Sequence, residues 1–320
     1  FNYNSLTQFK LMVKEFIVMG NFLKKKLLEQ NKIFKFDIDD NDAKNVSNFN
    51  TESHFPNYNS NDNKFTISEK GNKNFLTNTF KKFIGHNKDI LEVGCGTGQL
   101  SSYFAIGTNN RVVGLDATSE SLKLAADFSI KNNIENLCFV NADIFDNVFK
   151  ENFFDFIWCN GVLHHTKNPC EAFNIVVKSL KNEGYILVGL YNQIGRIRTV
   201  FRRFMIKIFG LRYLDIFDPT LRNLKKSDEE KKAWIRDQYL HPIESTHTLD
   251  EVLSWFDKNN IEFISSIPSC DFEDNYDNLF EKQSRGTLSS RLWKQFFMIF
   301  NKIGSDGGLF IVIGKKNEKN

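Results

Sequence analysis

Residues 89–98 read Asp-Ile-Leu-Glu-Val-Gly-Cys-Gly-Thr-Gly, a short apolar run that enters three glycines at alternate positions, Gly94, Gly96 and Gly98. Without Cβ atoms, such a turn lets a ligand lie directly on the backbone. The spacing narrows the ligand. A dinucleotide fingerprint needs G-x-G-x-x-G, whereas here the third glycine comes one residue early and Gln99 stands in its place. Glu92, two residues before the turn, would repel a pyrophosphate and suit a ligand bearing positive charge. Asp116 ends a second apolar run, Arg-Val-Val-Gly-Leu-Asp. It lies about 20 residues past the first glycine, the offset at which a carboxylate binds ribose hydroxyls.

Three other groups carry chemistry. His164 and His165 follow the apolar run 154–159, and His165 is a candidate base, although a structural role for the pair is the plainer reading. Tyr191, at the end of the apolar run 184–190, is a comparable candidate. The stretch 237–247 gathers Tyr239, His241, Glu244 and His247 around Pro242. The proline disfavours a continuous helix, so this stretch reads as a loop in which Tyr239, His241 and Glu244 bind substrate or supply a base. A His/Glu/His metal site is not expected, because the spacing is not that of H-E-x-x-H on a helix. Finally, Arg196, Arg198, Arg202, Arg203 and Lys207 share a helical segment with Ile197, Val200, Phe201, Phe204 and Ile208. A solvated basic face is the simplest reading. Arg196 as a clamp for an anionic substrate, or the basic face on anionic lipid, are the functional ones.

The elements that must position these residues alternate. Apolar runs at 89–93, 111–116, 137–140, 154–159, 184–190, 262–267 and 308–314 read as strands, and 99–105, 119–132, 169–180 and 249–259 carry apolar residues at helical spacing. That alternation predicts a parallel, doubly wound sheet whose ligand sites lie beyond the carboxyl ends of the strands. Segments 192–247 and 268–306 are insertions. Upstream, Leu6, Phe9, Val13, Phe16, Phe22, Leu23 and Leu27 predict an amphipathic helix that packs on the domain or a partner. Residues 37–63 read as a loop interrupted by Phe55-Pro56-Asn57-Tyr58, a segment able to fold over a cofactor, and 73–84 as a helix.

Composition excludes more than it selects. The chain has 320 residues, a net charge of +3 and 41% hydrophobic residues, enough for a packed core and too weakly basic to imply nucleic acid. Its five cysteines are odd in number and lack C-x-x-C spacing, which points to neither a disulfide framework nor zinc and is compatible with a reducing, cytoplasmic setting. No stretch approaches the roughly 18 apolar residues of a membrane span.

Taken in order, these segments resemble class I S-adenosylmethionine (SAM) dependent methyltransferases, with E-x-G-x-G-x-G at 92–98. The whole chain is also similar to bacterial methyltransferase-domain proteins of undefined substrate, through Phe55-Pro56-Asn57-Tyr58, Gly189-Leu190-Tyr191-Asn192, Gly195-Arg196 and Asp237-Gln238-Tyr239 with His241-Pro242. The resemblance implies an α/β fold: a Rossmann-like, seven-stranded sheet with helices on both faces, an N-terminal helical extension over 1–85, and a methyltransferase domain over 86–320 with lids at 192–247 and 268–306. It implies SAM as cofactor, held by Glu92, Gly94, Cys95, Gly96, Gly98 and Asp116, with Ala117, Ala142, Asp143 and Ile144 around the adenine and Asn160 and Gly161 by the methionine amino group. The reaction implied is in-line displacement of the methyl group onto a nucleophilic acceptor. Asn160-Gly161-Val162-Leu163 departs from the Asn/Asp-Pro-Pro-Tyr/Phe segment of enzymes that methylate nucleobase amino groups, which favours a small molecule in a capped pocket. A lipid- or quinone-like acceptor and a non-catalytic SAM-binding protein are the alternatives. Peripheral membrane contact and homo-oligomer formation stay open.

Overall fold

The computed structural model describes residues 20–25, 30–38, 61–210, 235–272, 278–300 and 308–318, with a few positions between 40 and 59. Strands β1 (Ile33–Lys35), β2 (Asp89–Val93), β3 (Arg111–Asp116), β4 (Leu137–Asn141), β5 (Phe154–Asn160), β6 (Leu180–Tyr191), β7 (Ile261–Ile267) and β8 (Leu309–Lys316) alternate with helices α1 (Lys64–Lys73), α2 (Phe75–Ile84), α3 (Gln99–Ala105), α4 (Ser119–Lys131), α5 (Pro169–Lys178), α6 (Ile197–Phe209), α7 (Leu249–Lys258) and α8 (Leu288–Phe297). The strand order is β1-β4-β3-β2-β5-β6-β8-β7. Seven of these strands are the ones the apolar runs mark. The eighth, β1, adds to the outer edge of β4 in parallel, held by Phe139 N–H to Lys32 O at 2.8 Å and Phe36 N–H to Asn141 O at 2.9 Å. Three residues are too few to show a period, which is why the edge strand escapes a pattern reading.

The chain forms two compact units, one of residues 1–159, 170–186 and 315–320, the other of 160–169 and 187–314.

In the first unit, β2 is buried along its whole length and pairs in parallel with β3 and β5. Being covered on both faces, it is a continuous apolar run rather than an alternating one. Phe80 of α2 meets Trp158 edge-on at 5.0 Å, and Phe104 of α3 meets the same ring at 5.7 Å. Asn63 and Asn74 cap α1 and α2 by accepting from Thr66 N–H and Thr77 N–H, the usual use of Asn at an N-cap. At the amino ends of the strands, Asp89 binds Arg111 and Lys181 at 2.6 and 3.0 Å. The predicted N-terminal helix does not run through Phe22 and Leu23. Residues 20–25 form a turn, and Leu23 bridges Phe149 while Phe22 packs edge-on to Phe34. Leu6, Phe9, Val13, Phe16 and Leu27 lie outside the described residues, as do Phe55, Pro56 and Asn57.

In the second unit, the end of β6 leads through Asn192 into α6. Asn192 Oδ1 accepts from Ile194 and Gly195 N–H at 3.0 and 2.9 Å, and its Nδ2 donates to Gln295 Oε1 at 2.8 Å. A Cβ on Gly308 would come within 2.7 Å of the Gly195 carbonyl carbon, so glycine is required where these two backbones meet. Helix α6 corrects the solvated-basic-face reading. Arg196, just before its first turn, is fully buried, and Arg203 is half-buried, while Phe201 and Phe204 are 59% and 58% exposed. The segment is amphipathic as predicted, but Arg196 and Arg203 turn inward while Lys207 stays exposed. The reason is a buried carboxylate, Glu244, on the inner side.

Candidate active site

The glycine turn is built by β2, β3 and the start of α3. Gly94 and Cys95 N–H both donate to Leu115 O at 2.7 and 3.0 Å, and Gly98 N–H returns to Cys95 O at 2.8 Å. The three glycines have φ of +68°, +52° and +71°, a region that side chains rarely adopt. Gly98 has a further role in packing: a Cβ there would lie 2.8 Å from the Phe139 ring and 2.9 Å from Ala125. Gly94 is exposed. Tyr58 is stacked on Phe128 at 4.3 Å and donates from its hydroxyl to Thr97 O at 2.8 Å, so the aromatic interruption of the upstream loop does reach the turn.

Asp116 stands opposite. Its Oδ2 accepts from Gly96 N–H at 2.8 Å and its Oδ1 from Thr118 N–H at 2.7 Å, which fixes the carboxyl at the carboxyl end of β3. Burial pushes its pKa up, against those backbone donors. At the neighbouring strand end, Asn141 Nδ2 donates to Asp116 O and Ala117 O at 3.1 and 3.0 Å, tying the ends of β3 and β4 together. Ala142 is buried, and Asp143 Oδ1 caps the turn of Ile144 by accepting from Phe145 N–H at 3.1 Å. The Cys95 thiol is buried, and burial raises its pKa well above the usual range, so it is inert.

Glu92 is the unusual group. It is buried at the end of β2 and bonded to the Ser101 hydroxyl. Burial pushes its pKa up to about 8, with the Asp116 charge adding and the Ser101 bonds opposing. A neutral carboxyl beside an open glycine turn is ready to ionise when a cation arrives. Ser101 gives no sequence signal, because it is nine residues further on in a helix. The positive-φ turn, the fixed Asp116 carboxyl and this acid fit a ligand with a ribose and a positive charge.

The second cluster lies in the second unit. The histidine and tyrosine rings pack at a tilt: His164 against Tyr191 at 4.1 Å and His165 against His241 at 3.6 Å between centroids. The Arg196 guanidinium lies 3.6 Å from the Tyr191 ring centre. Arg196 also bonds Glu244 through Nε at 3.2 Å and Nη2 at 2.8 Å, and Gln238 Oε1 through Nη1 at 2.5 Å. Gln238 Nε2 in turn donates to the Tyr191 hydroxyl at 3.0 Å, and Arg203 reaches Glu244 at 2.6 Å. Burial pushes the Glu244 pKa up, but the hydrogen bonds and charges of Arg196 and Arg203 outweigh it and leave it lowered. Arg196 and Glu244, both predicted to bind substrate, are therefore bound to each other. Gln238, within the singled-out stretch but not itself predicted as a site residue, joins them to Tyr191. Tyr239 is buried beside it.

Two histidines keep unspent capacity. Burial lowers the pKa of both, to about 4 for His165 and well below the usual range for His164, so both rings are neutral near pH 7. His165 Nδ1–H donates to Ile243 O at 2.8 Å, which leaves the Nε2 lone pair without a partner among the described residues in that tautomer. Neither nitrogen of His164 has a hydrogen-bond partner among the described residues. Asn160 Oδ1 is also a buried acceptor without a donor among them, and it sits where a Cβ on residue 189 would be, 1.7 Å away. Gly189 exists to admit it. Among the described residues, no group of three His, Cys, Asp or Glu could hold a metal ion.

Fold and turn together are those of a class I SAM-dependent methyltransferase. The profile described as a methyltransferase domain matches residues 84–260, so the chain belongs to that family, whose cofactor is SAM. Among curated relatives, it is 24% identical to phosphoethanolamine N-methyltransferase 1 of Zea mays over 65% of this chain and 40% of that one. It is 27% identical to the ubiquinone biosynthesis O-methyltransferase of Glaesserella parasuis over 40% of this chain and 52% of that one. The chain thus spans about half or less of these relatives' lengths. Its fold is that of PKMT2 from Rickettsia typhi, at a TM-score of 0.56 and 15% identity over 77% of this chain and 54% of that one.

Proposed function

We propose that the protein transfers a methyl group from SAM to a small-molecule acceptor, with His165 accepting the acceptor's proton. The observation that carries this reading is the contrast between spent and unspent polar groups: Arg196, Glu244, Gln238 and the Tyr191 hydroxyl are bonded to one another, whereas His165 Nε2 is left over. A hydroxyl acceptor suits a neutral imidazole, which receives a proton as the nucleophile is alkylated. The Tyr191 ring, with Arg196 on it and His164 beside it, positions rather than reacts, and His241 braces the His165 ring. Tyr239 serves the same packing.

Asp116 would hold the ribose, Ala117, Ala142, Asp143 and Ile144 the adenine, and Gly94, Cys95, Gly96 and Gly98 the methionine part beside Glu92. Asn160 Oδ1 would take an ammonium donor, next to Gly161. When bound, SAM supplies a methyl group already activated by its sulfonium, so the protein's part is alignment and exclusion of water. The names of the maize and Glaesserella relatives both specify small-molecule reactions, and PKMT2 is also known in complex with AdoHcy; these support the reading.

The test is methyl transfer from labelled SAM to a metabolite pool by the wild type, His165→Ala and Asp116→Ala. Product formation lost in His165→Ala at unchanged SAM affinity supports the assignment. Tight SAM binding with no product from any pool would leave a SAM-binding protein without chemistry.

A further inference from the structure

Two helices of the second unit turn their apolar sides outward. On α6, Ile197, Phe201, Phe204 and Ile208 are exposed, and on α8, Trp293 and Phe297 are 53% and 56% exposed. Their inner sides are polar and spent. Arg196 and Arg203 hold Glu244 below α6. On α8, Gln295 Oε1 accepts from Asn192 Nδ2 at 2.8 Å and Leu249 N–H at 3.0 Å, and Arg291 pairs with Asp250 at 2.6 Å. Neither helix can roll over to bury its rings without stranding buried charges and amides. Arg198 Nη1 donates to Ile299 O at 3.0 Å, just past α8, so the two faces adjoin.

The two helices are basic, although Arg285 and Arg291 pair with Asp257 and Asp250 of α7. Segments 195–210 and 285–302 contain arginines and lysines and no Asp or Glu. Apolar rings with a Trp, on two helices whose own charged residues are all Arg or Lys, match an interfacial helix on an anionic bilayer, where the rings enter the acyl boundary and the cations meet headgroups. A second copy is the poorer fit, because an isologous pair would set the helix cations of each copy against those of the other.

We propose that α6 and α8 dock the protein on an anionic phospholipid surface, with the apolar rings inserted and Arg198, Arg202, Lys207 and Lys294 at headgroup level. This is the reverse of binding through a basic helix face, and it holds whatever the acceptor is. No helix among the described residues is long and apolar enough to cross a membrane.

The full chain is sedimented with vesicles of phosphatidylglycerol and phosphatidylcholine in equal parts, and with phosphatidylcholine alone. Binding to the anionic vesicles is expected, several-fold weaker to neutral ones because each headgroup contact by Lys or Arg contributes. The double variant Phe201→Glu/Phe204→Glu should lose at least roughly tenfold in partition while keeping its melting temperature. As a gentler variant, Trp293→Phe should abolish the blue shift in emission that vesicles induce in the wild type. Absence of sedimentation with anionic vesicles, or equal sedimentation of wild type and double variant, overturns the proposal. So does a wild-type dimer in light scattering that the Phe201→Glu/Phe204→Glu change dissociates, because a second copy would then cover the face.

Discussion

The cofactor turn and the histidine cluster both bury charge, but by opposite means. Around the turn, Asp116 is held by backbone N–H groups and Glu92 by a serine, so neither carboxylate has a cationic partner in the contacts that fix it. In the second unit, Glu244 is held by two arginines. The first arrangement leaves Asp116 without a cation in its contacts and Glu92 protonated near pH 7. The second spends its charges internally and leaves neutral imidazoles over. A site waiting for a cation and a cluster braced against movement are thus told apart by who neutralises the carboxylate.

Breaking the internal pair should have the largest effect. Arg196→Met leaves Glu244 and Gln238 under-satisfied and should cost about 3–5 kcal/mol, read as a fall in melting temperature or in the denaturant midpoint. If stability is unchanged, the bracing role fails. Asp116→Ala removes both the proposed ribose partner and the brace on Gly96, and should weaken SAM binding by about 3 kcal/mol, roughly 100-fold, by calorimetry, with a small change in stability.

His165→Ala should lower kcat roughly 100-fold without moving SAM affinity. Because burial pushes the His165 pKa down to about 4 in the free protein, the acid limb of kcat/KM should fall near that pH rather than near the usual 6.5.

Glu92 predicts a pH effect of the other kind. Its pKa of about 8 in the empty site means that binding a cation must expel a proton at lower pH. SAM affinity should rise with pH up to about 8 and level off above it, by at most about tenfold per pH unit. Glu92→Gln should flatten that slope; a wild-type affinity independent of pH would show that the acid does not couple to the ligand. The smallest effect belongs to the outward face of α6, where Phe204→Ser should change stability by no more than about 0.5 kcal/mol.

Much of the first unit is legible in the chain. The strands from β2 to β5 and the glycine turn follow from local rules, because buried parallel strands are continuous apolar runs and a ligand turn needs residues without Cβ. The orientation of α6 is not. An amphipathic segment reveals that it has two faces, but Arg196 turns inward only because Glu244 and Gln238, more than 40 residues later, meet it there. Tyr58 on Thr97 and Ser101 on Glu92 are likewise partnerships of unlike elements.

The sequence by itself determined the glycine turn and the acids at the strand ends proposed to bind the methyl donor, since these rest on backbone shape and short-range spacing. Only the tertiary structure decided which of the polar residues after β6 are spent on one another, which imidazole keeps a free lone pair, and that the rings of α6 and α8 face outward. Those outcomes depend on pairings across long stretches of chain, where burial and charge compensation, not local propensity, choose the winner.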